Sequence, residues 1–291
     1  MNPHISSAYL TLILVWSTTA LGIKWAVMGL PFSLALLGRF GLAALLALSV
    51  LAWRRQSLPL QRSDLRVYAI AGCASALSML GTFWAAQYIS SGMVAVVYGL
   101  IPLATAMFSR WILKTPLQGL EYLAIAVGFS GLVVIFGQKL SLTPEGFYGL
   151  GALLLSAIVQ SGAAVLLKVH AQGQSPVAVN AGALTVGTCI CAAIWLLAGA
   201  PMVEALPLRS AAAVVYLASL GSVLAFSLYY WLIRECRPIS VALISLITPV
   251  TSLWLGNVLN HEAFHRDELI GTGLILFGLL IYGLAIHRKK P

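Results

Sequence analysis

The sequence is short of charge, and of acidic charge most of all: eight Asp and Glu stand against 17 Lys and Arg in 291 residues. Charged residues make up 9% of the chain, against roughly 25% in a soluble domain, which excludes an ordinary water-facing surface. The four cysteines, Cys73, Cys189, Cys191 and Cys236, are too few and too scattered for a disulfide framework or a metal site. Cys189 and Cys191 point to different faces of their helix. No Asp or Glu sits deep in a long apolar run, so an obvious buried proton-relay carboxylate is missing. No linker marks off a soluble domain.

What fills the space is apolar. Hydrophobic residues are 60% of the chain, and the mean hydropathy is +0.95. About 20 apolar residues cross a bilayer as a helix. Ten runs qualify: 8–28, 32–53, 67–88, 92–112, 118–137, 147–168, 177–198, 211–233, 239–259 and 268–286. The fold class expected is therefore an all-α membrane protein with ten transmembrane helices.

Charge then orients the chain. With Lys and Arg placed on alternate sides of ten spans, one side holds 12, the other holds Lys139, Arg209 and Arg266, and Lys24 and Arg39 lie inside spans. Such a split puts both termini in the cytoplasm. The net charge of +9 is thereby accounted for, and no nucleic-acid partner is expected. The first span, which lacks a basic n-region and a small-residue cleavage site, is expected to be retained.

The chain also repeats itself. Trp84, Val94-Ala95, Pro102, Glu121 and Gly131-Leu132 recur as Trp231, Val241-Ala242, Pro249, Glu268 and Gly278-Leu279, 147 residues on. Ser17 and Lys24 recur as Ser161 and Lys168 at an offset of 144. The units are 1–141 and 142–291. Five spans per unit is odd, so the second enters the membrane from the opposite side, giving two inverted repeats around a central cavity.

Pro102 and Pro249 sit mid-span, where each removes a donor and frees a carbonyl four residues earlier. Tyr98, Pro102 and Thr105 share one helical face, as do Ser245, Pro249 and Ser252. These faces either line a wet cavity or merely kink packed helices. Trp16, Ser17, Gln160, Ser161, Tyr230 and Trp231 complete the polar and aromatic candidates for substrate contact. Lys24, about 6 Å from its span end, either snorkels or faces the cavity; Arg39, about 10 Å deep, either pairs helices or meets substrate. If either cation faces the cavity, it favours an anionic group such as a carboxylate. Glu121 and Glu268 open their spans, where a carboxylate complements a helix N-terminus. Gly128, Gly131, Gly271, Gly273 and Gly278 point to close packing of spans 5 and 10. His261-Glu262-Ala263-Phe264-His265 matches HExxH, but it fills a loop with no room for the rigid helix that motif needs, so neither metal nor enzymatic activity is expected.

Trp16-Ser17, Lys24, Arg39-Phe40, Pro102, Pro249, and Glu262 followed by Gly271 to Gly278 together resemble the EamA family of the drug/metabolite transporter superfamily. The resemblance covers nearly the whole chain. It departs at Lys114-Thr115, where the family has Gly-Glu, and at His261, which stands for Gly. It implies an exporter of amino acids or related metabolites in the bacterial inner membrane, with a cavity lined by spans 1, 3, 4, 6, 8 and 9. No cofactor is implied, the partners are a small solute and the lipid bilayer, and a monomer is expected. A sugar-phosphate or nucleotide-sugar exchanger is an alternative that would need several cavity cations. A non-transporting scaffold or sensor is another, favoured by the missing carboxylate.

Overall fold

A computed structural model describes residues 3–114, 116–138, 144–236, 241, 244–262 and 266–287. All regular structure among them is helical. Spans 1 to 3 are Pro3–Gly29, Phe32–Trp53 and Arg62–Ala85; spans 5 to 7 are Gly119–Gln138, Pro144–His170 and Pro176–Leu197; spans 9 and 10 are Ile244–Asn260 and Arg266–His287. Span 4 comes in two pieces, Ser91–Tyr98 and Ile101–Ile112, and span 8 in three, Leu208–Tyr216, a π-helix Leu217–Leu224, and Ala225–Glu235. Among the described residues, seven helices are long and apolar enough to cross a membrane, and Gly119–Gly131 and Leu269–Ala285 are shorter apolar stretches.

Pro102 breaks its span outright where a kink is expected. The helix stops at Tyr98, turns through Gly99-Leu100, and restarts at Ile101, leaving Pro102 in the first turn of the new helix. A first-turn proline loses no intrahelical bond. Pro249 differs, for it lies inside the unbroken helix Ile244–Asn260. The two regions meet: a ring carbon of Pro249 lies 3.3 Å from where a Cβ on Gly99 would stand.

The spans pack across the two sequence halves. Span 1 lies against spans 8 and 9, and span 6 against spans 3 and 4; spans 2 and 7, 4 and 9, and 5 and 10 pair with one another. Lipid gives little hydrophobic drive between helices, so close approach depends on small residues. A Cβ on Gly131 would stand 2.5 Å from the Gly271 carbonyl oxygen, and one on Gly278 2.7 Å from that of Ala124. Gly273, by contrast, has nothing nearby.

Span ends on the face opposite the chain termini are tied by hydrogen bonds, and the same tie occurs at the other face. Lys24 Nζ donates to the carbonyls of Ala86 (2.7 Å) and Ile89 (3.0 Å), just past the end of span 3. Lys168 Nζ donates to the carbonyl of Ile233 (2.8 Å), at the end of span 8. Ile233 is Ala86 shifted by 147 residues. Each lysine thus satisfies orphan carbonyls at a helix C-terminus, where a cation also complements the dipole.

Candidate functional site

A cavity of about 150 Å³ lies among spans 1, 2, 3, 4, 6, 8 and 9, room for roughly ten waters. Its wall is mostly apolar, with Ile23, Met79, Val94, Ala95, Ile101, Ala164, Phe226, Ile233 and Val241 contributing. Eight further lining residues give it chemistry: Trp16, Thr19, Arg39, Tyr98, Thr105, Gln160, Tyr229 and Thr248.

Arg39 is 1% exposed. Its Nε donates to Ser222 Oγ (3.0 Å), its Nη1 lies 3.4 Å from the Met79 sulfur, and the guanidinium sits 5.8 Å over the Phe83 ring. Among the described residues no carboxylate pairs with it. A buried charge held only by neutral groups retains much of its capacity for an anionic partner.

The π-helix supplies the hydroxyl that holds Arg39. Ser222 Oγ donates to the carbonyl of Leu217, five residues back (2.9 Å), and Asn180 Nδ2 donates to the carbonyls of Ser222 and Val223 (both 3.1 Å) and to Ser227 Oγ (3.0 Å). Buried donors from spans 2 and 7 therefore clamp the wide turn. The widened turn rotates the helix on its C-terminal side. Tyr229 faces the cavity and packs at a tilt against Trp16, with 5.4 Å between ring centroids, whereas Tyr230 turns into a core with Val67, Tyr68 and Leu167.

Tyr98 presents its ring to the cavity while its hydroxyl is held elsewhere. Thr82 Oγ1 donates to the carbonyl of Ser78 (2.7 Å), so it accepts from the Tyr98 hydroxyl at 2.5 Å, and Ser78 Oγ lies 3.0 Å away on the other side. Gln160 is different. Its Oε1 is buried with no hydrogen-bond partner among the described residues, an acceptor left available for a solute donor.

Of the residues singled out from sequence, Trp16, Arg39, Tyr98, Thr105 and Gln160 come together here. The remainder go elsewhere. Ser17 Oγ bonds Thr251 Oγ1 (2.5 Å), and Ser252 Oγ donates to the Ser17 carbonyl (2.8 Å), joining spans 1 and 9. Ser161 Oγ donates to the carbonyls of Ala157 (2.7 Å) and Ile101 (3.3 Å), joining spans 6 and 4. Pro102 is buried in packing, as is Pro249, and Trp231 packs beside Ala8, Leu12 and Val15. Lys24 is spent on carbonyls. The side chain of Ser245 lies outside the described residues, as do those of Glu268 and residues 263–265 of the HExxH stretch. Span 9 ends at Asn260, before that stretch begins. Thr19, Phe226, Tyr229 and Thr248 were missed. Thr19 shares a face with Trp16 at i+3 and was open to that spacing argument; Tyr229 was hidden by the π-helix.

The EamA-like transporter family model matches residues 6–137 and, again, 147–284. The chain belongs to the EamA-like transporter family. Among EamA-like relatives, the uncharacterized inner membrane transporter YedA of Escherichia coli (strain K12) is 30% identical over 292 residues, covering 98% of this chain and 92% of its own. The uncharacterized transporter YoaV of Bacillus subtilis is 22% identical over 97% of each chain. A crystal structure at 22% identity superposes over 100% of both chains with a TM-score of 0.73, which bears on fold alone. The EamA-like chain is thus a multi-pass inner membrane transporter.

Proposed function

We propose that the chain exports amino acids or related small amphiphilic metabolites by alternating access, with the solute held in the Arg39–Gln160 cavity. The observation that carries this reading is a fully buried guanidinium and an unpartnered amide oxygen lining one mostly apolar space. A guanidinium takes a carboxylate, Gln160 Oε1 takes an N–H, and Trp16, Phe226 and Tyr229 offer surface to an apolar side chain. The halves 1–141 and 142–291 act as inverted units. Support comes from the reciprocal pairing of spans, 1 on 9 and 6 on 4, and from the matching Lys24 and Lys168 ties.

A phosphate-bearing solute would need several cations, and Arg39 is the single Lys or Arg in the cavity wall among the described residues. The test is counterflow in proteoliposomes with labelled amino acids, their methyl esters, sugars and sugar phosphates. Free amino acids with apolar side chains are expected to exchange, and Gln160→Ala to weaken exchange about tenfold. Exchange of sugar phosphates alone, or of nothing, overturns the reading.

A further inference from the structure

Away from the cavity, the face opposite the termini holds a side-chain network that the solute reading leaves unused. Its centre is Glu262, two residues past the end of span 9. The Glu262 carboxylate accepts from the backbone N–H of Ser91 (3.0 Å) and of Gly92 (3.4 Å), and from Ser91 Oγ (2.8 Å). It therefore sits on the N-terminus of span 4, where backbone donors and the helix dipole both favour an anion.

Neighbouring spans join it. Asn260 Nδ2 donates to Glu262 Oε1 (2.9 Å), and Asn260 Oδ1 accepts from Trp25 Nε1 (3.0 Å) at the end of span 1. Arg209, at the start of span 8, stacks 4.3 Å over the Trp25 ring, and Ser210 Oγ donates to the Trp25 carbonyl (2.8 Å). Lys24 ties the same end of span 1 to span 3. Backbone space is kept for the carboxylate: a Cβ on Gly256 would collide with Glu262 Oε2 and would stand 2.8 Å from Ser91 Oγ. Just beneath lie Ile23 and Val94, both 1% exposed, which form the cavity wall on that side.

The repeat offers a comparison. At the corresponding positions of the other half, Asn260 becomes Leu113, Glu262 becomes Thr115, Ser91 becomes Pro238 and Trp25 becomes Val169. Acid, amide, indole and hydroxyl are all gone, and proline has no N–H to offer. The lysine survives as Lys168, and Arg209-Ser210 recur as Arg62-Ser63.

We propose that Glu262 is a latch that closes the cavity at the face opposite the termini, and that its absence from the other half biases the empty protein toward the state closed on that face. Movement of span 4 from span 9 must break the carboxylate from the span 4 N-terminus. Closure of the other face must proceed without a carboxylate at the Glu262 position, which is Thr115, although Asp64 accepts from Gln174 Nε2 there (2.8 Å). The inference goes beyond solute identity, and its test needs no solute.

The test is side-selective labelling of the full chain in oriented vesicles, with the four cysteines replaced and Val94→Cys as reporter. An impermeant maleimide added at the latch face should react slowly with the parent. Glu262→Ala should raise that rate at least tenfold, Glu262→Gln less so because one acceptor oxygen remains, and Gly256→Val should mimic Glu262→Ala while keeping the acid. Monodisperse elution and an unchanged circular dichroism spectrum qualify each variant. The proposal is overturned if the reporter already reacts quickly from the latch face in the parent. It is equally overturned if a well-folded Glu262→Ala and a well-folded Gly256→Val both label at the parental rate. Because labelling is read without transport, these outcomes stand apart from failure of the solute assignment.

Discussion

Arg39 carries two tasks at once, bracing the π-helix through Ser222 and facing the cavity without a described carboxylate partner. A hydrogen bond to a charged group contributes about 1.5–3 kcal/mol, or roughly ten- to 150-fold in affinity at 1.4 kcal/mol per decade. Arg39→Gln should weaken binding of a free amino acid by that factor and leave its methyl ester almost untouched, as read from quenching of tryptophan fluorescence. Equal losses for acid and ester would show that the guanidinium does not meet the carboxylate. Arg39→Lys should not restore binding, because an ammonium cannot hold Ser222 and present a planar fork as well. The hydroxyls tell the opposite story. Ser17, Ser161 and Ser252 were picked out by polarity and spacing, yet each spends its oxygen on a neighbouring span. Polarity inside a membrane marks a need for a partner, and protein can supply that partner as readily as a cavity can.

At the scale of elements, the ten-span layout was legible because apolar runs are long and the basic residues alternate. Observed ends fall within a few residues of those runs: Phe32–Trp53 coincides with 32–53, and Pro176–Leu197 lies one residue from 177–198. Breaks were legible only in part. Pro102 announced an interruption, but the turn falls at Gly99-Leu100, where Pro249 of another span packs against Gly99, a neighbour that no local pattern encodes. The π-helix had no signal at all, since Leu217–Leu224 reads as ordinary helix, and its cost is met by Asn180 from a distant span. Asn180→Ala should leave buried carbonyls unpartnered, a loss of about 1–3 kcal/mol, and lower the melting temperature in detergent by several degrees. Asn180→Asp, equal in size but without the donor, should fall at least as far. Unchanged melting in both would mean the wide turn holds itself.

Across the whole molecule, ten passes would put both ends of the chain on one face, and the 12-to-3 division of basic residues predicts that this face is cytoplasmic. Epitope tags on both termini should therefore be digested by protease only in inverted vesicles; cleavage of either in right-side-out vesicles contradicts the orientation. Crossed packing has a further consequence for how the protein is made. Span 1 leaves the ribosome long before its main neighbours, spans 8 and 9, which lie more than 180 residues downstream. Through most of synthesis it must persist without them, with Ser17 lacking the Thr251 hydroxyl it finally meets. Assembly of this bundle is consequently a late event, completed only when nearly the entire polypeptide has entered the bilayer. Truncated chains ending before Ile244 should be inserted yet unassembled, and so natural prey for membrane proteases.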